Sequence, residues 1–102
     1  MHFIFTIVKY NCRNVLEDNK MRTIICEDYN DMSRQAAKIL ISQLTLKPNS
    51  ILGLATGSTP IGLYDNLVEA YEAGEIDFSA VTTFNLDEYY PISEDNPQSY
   101  RY

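Results

Sequence analysis

At 102 residues, with 8 basic and 14 acidic side chains and a net charge of −6, the chain has room for at most one small domain. Its hydrophobic share of 45% and charged share of 22% exclude a disordered composition, and its acidity disfavours a nucleic-acid partner, which calls for a basic face. The two cysteines, Cys12 and Cys26, lack metal-ligand spacing and read as reduced thiols in the cytoplasm.

Residues 1–20 read as a leader or disordered extension, distinct from a domain over 21–102. Phe3 to Val8 is an apolar run, but no basic region precedes it and no cleavage site follows. It also falls far short of the about 20 apolar residues that a membrane span needs, so no membrane association is expected. Asn11 to Lys20 is polar and without period, and Met21 is an alternative start. The single histidine, His2, lies in this extension, so residues 21–102 contain none.

From Met21 onward, apolar segments alternate in type. Arg22 to Cys26 is a β-branched strand. Asp28 to Asp31 supplies turn and cap residues, after which Met32, Ala36, Ile39, Leu40 and Leu44 recur at helical spacing until Lys47-Pro48-Asn49-Ser50 breaks the helix. Ile51 to Ala55 is a continuous apolar run, as in a strand buried on both faces. Thr59 is the expected N-cap of a second helix, with Pro60 at its first position; Leu63, Leu67 and Ala70 form its apolar stripe, and Gly74 stops it. Val81 to Leu86 is a third strand. The order βαβαβ predicts an α/β fold, the N-terminal part of an open, mostly parallel, doubly wound (Rossmann-like) sheet with right-handed crossovers. The sheet is incomplete, because three strands with two helices leave apolar faces uncovered.

Two stretches carry chemistry. Leu54-Ala55-Thr56-Gly57-Ser58-Thr59-Pro60 runs from strand through a small, hydroxyl-rich loop into a helix. Backbone N–H groups converging near a helix N-terminus hold a phosphate dianion, and Gly57 keeps a side chain out of the way. Gly62, in the first helical turn, permits close packing. The same residues also fit a strand-to-helix turn that binds nothing, and neither a Walker loop nor a dinucleotide fingerprint is present. The second stretch, Thr83-Phe84-Asn85-Leu86-Asp87-Glu88-Tyr89, crowds polar groups at the carboxyl end of an apolar strand, where open α/β sheets place their sites. Asn85 and Asp87 could simply end the ladder. With the phosphate loop one strand away, Asp87 shielded by Tyr89 and Tyr90 reads as a base, and the adjacent carboxylates Asp87 and Glu88 are expected to push each other's pKa up.

These residues resemble a family. Thr56-Gly57-Ser58-Thr59-Pro60, Gly62-Leu63-Tyr64, Phe78-Ser79, the Thr83–Tyr89 block and Ser99-Tyr100-Arg101 closely resemble glucosamine-6-phosphate deaminase over Met21 to Tyr102. The related 6-phosphogluconolactonases share the loop but place an Arg where this chain has Tyr89. The resemblance implies conversion of glucosamine 6-phosphate and water to fructose 6-phosphate and ammonia, with no metal and no organic cofactor. Asp87 would take the proton from C2 of the opened sugar and return it at C1. Thr56, Gly57, Ser58 and Thr59 would grip the phosphate; Asn85 and Glu88, beside Asp87 at the strand end, are candidate supporting residues of the site. The implied partner is a small sugar phosphate, with room for a homo-oligomer in the full-length protein. The family's later Asp-x-His segment, which serves ring opening, has no counterpart here. The chain therefore reads as a truncated deaminase, inactive alone. A lactonase, a non-catalytic sugar-phosphate sensor and a remnant without function are the alternatives. Tyr89, Tyr90, Tyr100 and Tyr102 read as packing or interface residues, Cys26 as a buried small hydrophobe, and Glu69, Glu72, Glu75 and Asp77 as solvated helix and loop.

Overall fold

The computed structural model describes residues 3–7 and 22–101. In chain order they form β1 (Phe3–Ile7), β2 (Arg22–Cys26), α1 (Tyr29–Leu46), β3 (Ile51–Leu54), α2 (Ile61–Glu72) and β4 (Thr82–Asn85). From Arg22 onward this is the expected alternation of strand and helix. The rest of the proposed extension, residues 1–2 and 8–20, together with Met21 and Tyr102, lies outside the described residues.

Each helix starts and stops where its sequence allows. The Asp28 carboxylate accepts from the Asp31 N–H at 2.7 Å and caps α1, while Asp31 reaches back to accept from the Glu27 N–H at 3.1 Å; this reciprocal pair satisfies two amides at the helix start. α1 ends at Leu46, with Pro48 two residues beyond. α2 ends just before Gly74, whose φ of +75° is a conformation glycine adopts without strain. The start of α2 differs from expectation. Pro60, not Thr59, is the cap residue, and no side chain caps it. Ile61 N–H instead closes a turn onto the Ser58 carbonyl at 3.4 Å, which leaves the Thr59 hydroxyl outside the helix.

The sheet differs more. β3 and β4 pair in parallel, with Ile51 beside Thr82 and Leu54 beside Asn85. β2 does not join them; it pairs antiparallel with β1, Phe3 facing Cys26 and Ile7 facing Arg22. The three-stranded parallel sheet is therefore replaced by two two-stranded ones. Periodicity marks a strand but not its neighbour, and Phe3–Ile7 has the aromatic and β-branched composition that satisfies the edge of β2.

The core lies between the helices and one face of the parallel pair. Ala37 and Leu44 of α1, Leu67 and Ala70 of α2, and Ile76 are buried, with Leu40, Leu52, Leu63, Tyr64, Phe78 and Val81 packed against them. Burial of a leucine such as Leu44 or Leu67 stabilises by about 1.5–3 kcal/mol. The opposite face is open: Ile51 is 69% exposed, Phe84 53% and Leu86 62%. β3 is thus buried on one face only, contrary to its continuous apolar reading, because both described helices pack on the same side. The uncovered apolar face expected of an incomplete sheet is present. Cys26 is buried.

Candidate functional site

The parallel register brings the two sequence motifs together. Past Leu54 and Asn85 the ladder continues by one bond, the Leu86 N–H donating to the Leu54 carbonyl at 3.1 Å. Both chains then leave the carboxyl ends of their strands side by side. Two residues further along each, the Thr56 hydroxyl donates to Asp87 Oδ1 at 2.7 Å. That bond fixes one carboxylate oxygen of Asp87, and Oδ2 takes no partner among the described residues. Asp87 is exposed. The shielding expected from its neighbours is not formed, since Tyr90 is 97% exposed and Tyr89 stacks elsewhere.

The loop between β3 and α2 is built by backbone freedom and by two tyrosines. Gly57 adopts φ +88°, and a Cβ there would meet nothing within 4 Å. The glycine is therefore a conformational requirement of the left-handed backbone and not a steric one. Gly57, Ser58 and Thr59 are exposed, and their backbone N–H groups have no partner among the described residues. Consecutive unpaired amides at the start of a helix are donors that an anion could accept. The Tyr64 hydroxyl donates to the Ala55 carbonyl. The Tyr29 hydroxyl, at the first turn of α1, lies 3.1 Å from the Ser58 carbonyl and 3.0 Å from that of Thr59, and accepts from the Gly62 N–H at 2.9 Å. Gly62 permits this approach: a Cβ there would overlap Ser33 Oγ and lie 2.9 Å from Tyr29 Cε1. The close packing expected of Gly62 is thus found.

Asn85 and Glu88 face the loop that follows β4. The Asn85 amide donates to the Tyr100 carbonyl at 3.3 Å. The Glu88 carboxylate accepts from the Ser99 hydroxyl at 2.7 Å and from the N–H groups of Tyr89, Tyr100 and Arg101 at 2.9, 3.1 and 3.2 Å. These bonds, the Ser99 hydroxyl foremost, hold its pKa down to about 2 against an opposing desolvation. The mutual upward shift expected of the adjacent carboxylates fails for Glu88, because hydrogen bonds to the charged form outweigh a neighbour's repulsion. Both residues therefore fasten residues 99–101 to the end of β4. Tyr89 and Tyr100 stack with centroids 5.1 Å apart, the Tyr100 hydroxyl donating to that of Tyr89 at 3.1 Å. This contact, with the Asp87 and Glu88 carboxylates as lesser causes, pushes the Tyr89 phenol up from its ordinary value.

Thr56, Gly57, Ser58, Thr59 and Asp87 thus share one end of the parallel pair, whereas Asn85 and Glu88 are turned to the loop that follows. Tyr29 was not singled out from the sequence. A tyrosine at the start of a helix carries no local signal that it will clasp a loop some 30 residues away, and only tertiary packing shows it. Among the described residues, no group of three or more His, Cys, Asp or Glu side chains could hold a metal ion, and no helix is long and apolar enough to cross a membrane.

No family model matches the chain. It is 62% identical over 82 residues to a glucosamine-6-phosphate deaminase of Halothermothrix orenii, covering 80% of this chain and 34% of that protein. A protein of the same name from Alkaliphilus metalliredigens is 65% identical over 80 residues, covering 78% of this chain and 33% of its own. The solved structure of a monomeric glucosamine-6-phosphate deaminase, described as a missing link of the NagB superfamily, superposes with a TM-score of 0.71 at 42% identity, over 74% of this chain and 32% of its own. The chain is therefore similar in sequence and in fold to glucosamine-6-phosphate deaminases, and spans about a third of the length of the curated relatives it matches.

Proposed function

We propose that residues 21–102 form the part of a sugar-phosphate isomerase/deaminase domain that carries the phosphate loop and the base of a glucosamine-6-phosphate deaminase. The observation that carries this reading is the Thr56–Asp87 hydrogen bond of 2.7 Å, which ties the exposed Gly57–Thr59 amides to a carboxylate with a free oxygen. Phosphate held by the Thr56, Gly57, Ser58 and Thr59 loop would fix one end of the opened sugar, and fixing geometry supplies much of the advantage of an enolisation. Asp87 Oδ2 would then take the proton from C2 and return it to C1, acting as general base and then acid. Thr56 holds Oδ1 and so orients the carboxylate. The overall change is glucosamine 6-phosphate plus water to fructose 6-phosphate plus ammonia, a hydrolytic deamination coupled to isomerisation, in amino-sugar catabolism. Asn85 and Glu88 support the site indirectly, through the 99–101 loop. A cytoplasmic location follows from the intracellular nature of such a substrate. Tyr89 in the position where lactonases carry an Arg supports the deaminase reading over the lactonase one.

The test asks for the base alone. Fructose 6-phosphate is incubated with the chain in D2O, and deuterium entry at C1 is followed by proton NMR. Exchange by the wild type, short of the full turnover that releases ammonia, and its loss in Asp87→Asn are the expected results; a wild type that exchanges no deuterium refutes the base step in this chain. Exchange that survives this substitution removes Asp87 from the role, and hydrolysis of 6-phosphogluconolactone by the chain would replace the deaminase reading with a lactonase.

A further inference from the structure

The Tyr29 hydroxyl ties the end of the phosphate loop to the first turn of α2. Two carbonyls, of Ser58 and Thr59, lie within 3.1 Å of it, and the Gly62 N–H donates to it at 2.9 Å. A phenol has one proton to give, so it is shared between the two carbonyls, while its lone pair takes the amide. The consequence for the loop is directional. In a planar trans peptide the N–H points opposite the C=O, so holding the Ser58 carbonyl turns the Thr59 N–H away from Tyr29, while the Thr59 carbonyl leads into Pro60, which has no N–H. The amides of Gly57, Ser58 and Thr59 are unpaired among the described residues and exposed. Gly62 N–H is one of the amides that a helix start leaves without an intrahelical partner. Here no side chain of α2 caps it, and Tyr29 takes that place from a different helix. The tyrosine ring is itself fixed, half-buried against Gly62. We propose that Tyr29 is a positioning residue of the phosphate site: it acts as a cap supplied by α1 to the start of α2, and by holding the Ser58 and Thr59 carbonyls it fixes the Thr59 amide and the exit of the loop in the geometry that receives a phosphate. This rests on the reading of Gly57–Thr59 as the phosphate grip and extends it to a residue that would not itself touch the ligand.

Tyr29→Phe removes the hydroxyl and keeps the ring. The probe is inorganic phosphate, titrated into the 15N-labelled chain and followed at the amides of Gly57, Ser58 and Thr59, with hydrogen exchange at Gly62 measured in parallel. The expected result is phosphate affinity weaker by about tenfold, the scale of one or two lost hydrogen bonds, together with faster exchange at Gly62 and an unchanged amide pattern through the second half of α1. Preserved affinity in Tyr29→Phe, with the wild type binding at the loop, overturns the positioning role and leaves the phosphate site standing. A wild type whose loop amides ignore phosphate overturns the phosphate reading itself, and the positioning role with it. A wild-type measurement guards against a variant that fails to fold: saturation with phosphate should shift the Tyr29 ring resonances and leave those of Tyr71, on α2 away from the loop, in place. Tyr29 resonances that do not move refute the proposal.

Discussion

Gly62→Ala tests the packing on which the site depends. Built on the observed backbone, the new Cβ would overlap Ser33 Oγ, lie 2.9 Å from Tyr29 Cε1 and 3.0 Å from Ser33 Cβ. None of these atoms can retreat cheaply, since Ser33 is 2% exposed and Tyr29 is held by its hydroxyl. Overpacking of this kind costs about 1–3 kcal/mol, and the greater helix propensity of alanine returns at most about 1 kcal/mol. The net expectation is a loss of roughly 1–2 kcal/mol, or about 4–16 °C in Tm for a chain of this size. The assay is urea and thermal unfolding followed by circular dichroism. A second substitution isolates the cause. Ser33 Oγ is buried without a hydrogen-bond partner, so Ser33→Ala alone should be neutral or stabilising by up to about 1 kcal/mol. Combined with Gly62→Ala it should recover part of the loss, with a coupling of about 0.5–1 kcal/mol between these touching residues. A Gly62→Ala chain as stable as the wild type, or strictly additive effects, would refute the argument that α1 and α2 meet with no room at this point.

Other outcomes follow from the same structure. Leu67→Ala, which empties a core position only 6% exposed, should cost about 2–4 kcal/mol in urea unfolding, and a loss below 1 kcal/mol would mean that the core relaxes around the gap. Glu88 has its folded pKa lowered to about 2 from an ordinary 4.5; its contribution is therefore complete above about pH 4.5 and is lost as pH falls toward 2. Amide exchange at Tyr100 and Arg101, corrected for the intrinsic rate, should accelerate over that acid range and be already fast in Glu88→Gln at neutral pH; equal protection in both proteins would contradict the clamp. Thr56→Val should release Asp87, seen as a changed carboxyl carbon shift for Asp87 and no change for Glu88, with little effect on Tm.

What the sequence made legible was local. Asp28 and Asp31, Pro48 and Gly74 mark helix ends because cap and breaker chemistry acts within a few residues, and the apolar stripes of α1 and α2 fall on the buried faces. The two motifs were recognisable as a loop and a strand end for the same reason. What was hidden depended on which elements meet. β2 takes β1 and not β3 as its neighbour, although all three have strand composition. Glu88, adjacent to Asp87 in sequence, faces residues 99–101 and is kept strongly acidic by four donors, where proximity of charge alone suggested the reverse. Tyr29 joins the loop only through the crossing of α1 and α2 at Gly62.

The open sheet face connects these observations to stability. Ile51, Phe84 and Leu86 stand exposed on the face opposite the helices, so the strands that carry the loop and Asp87 gain core contacts from one side only. Their register is then set chiefly by the parallel ladder, a weaker pairing per residue than an antiparallel one, and by contacts past its end. The Leu86–Leu54 bond, the Thr56–Asp87 bond and the Tyr29 and Glu88 clasps all lie at that carboxyl end. Polar contacts hold the geometry of this end where hydrophobic burial is thin. A net contribution of about 1 kcal/mol from each such hydrogen bond is a large share of the stability of a domain this small. This carboxyl end should therefore be the first part of the parallel pair to open, and on the proposed function a phosphate that bridges the Gly57–Thr59 amides should slow that opening more than it slows exchange in α1.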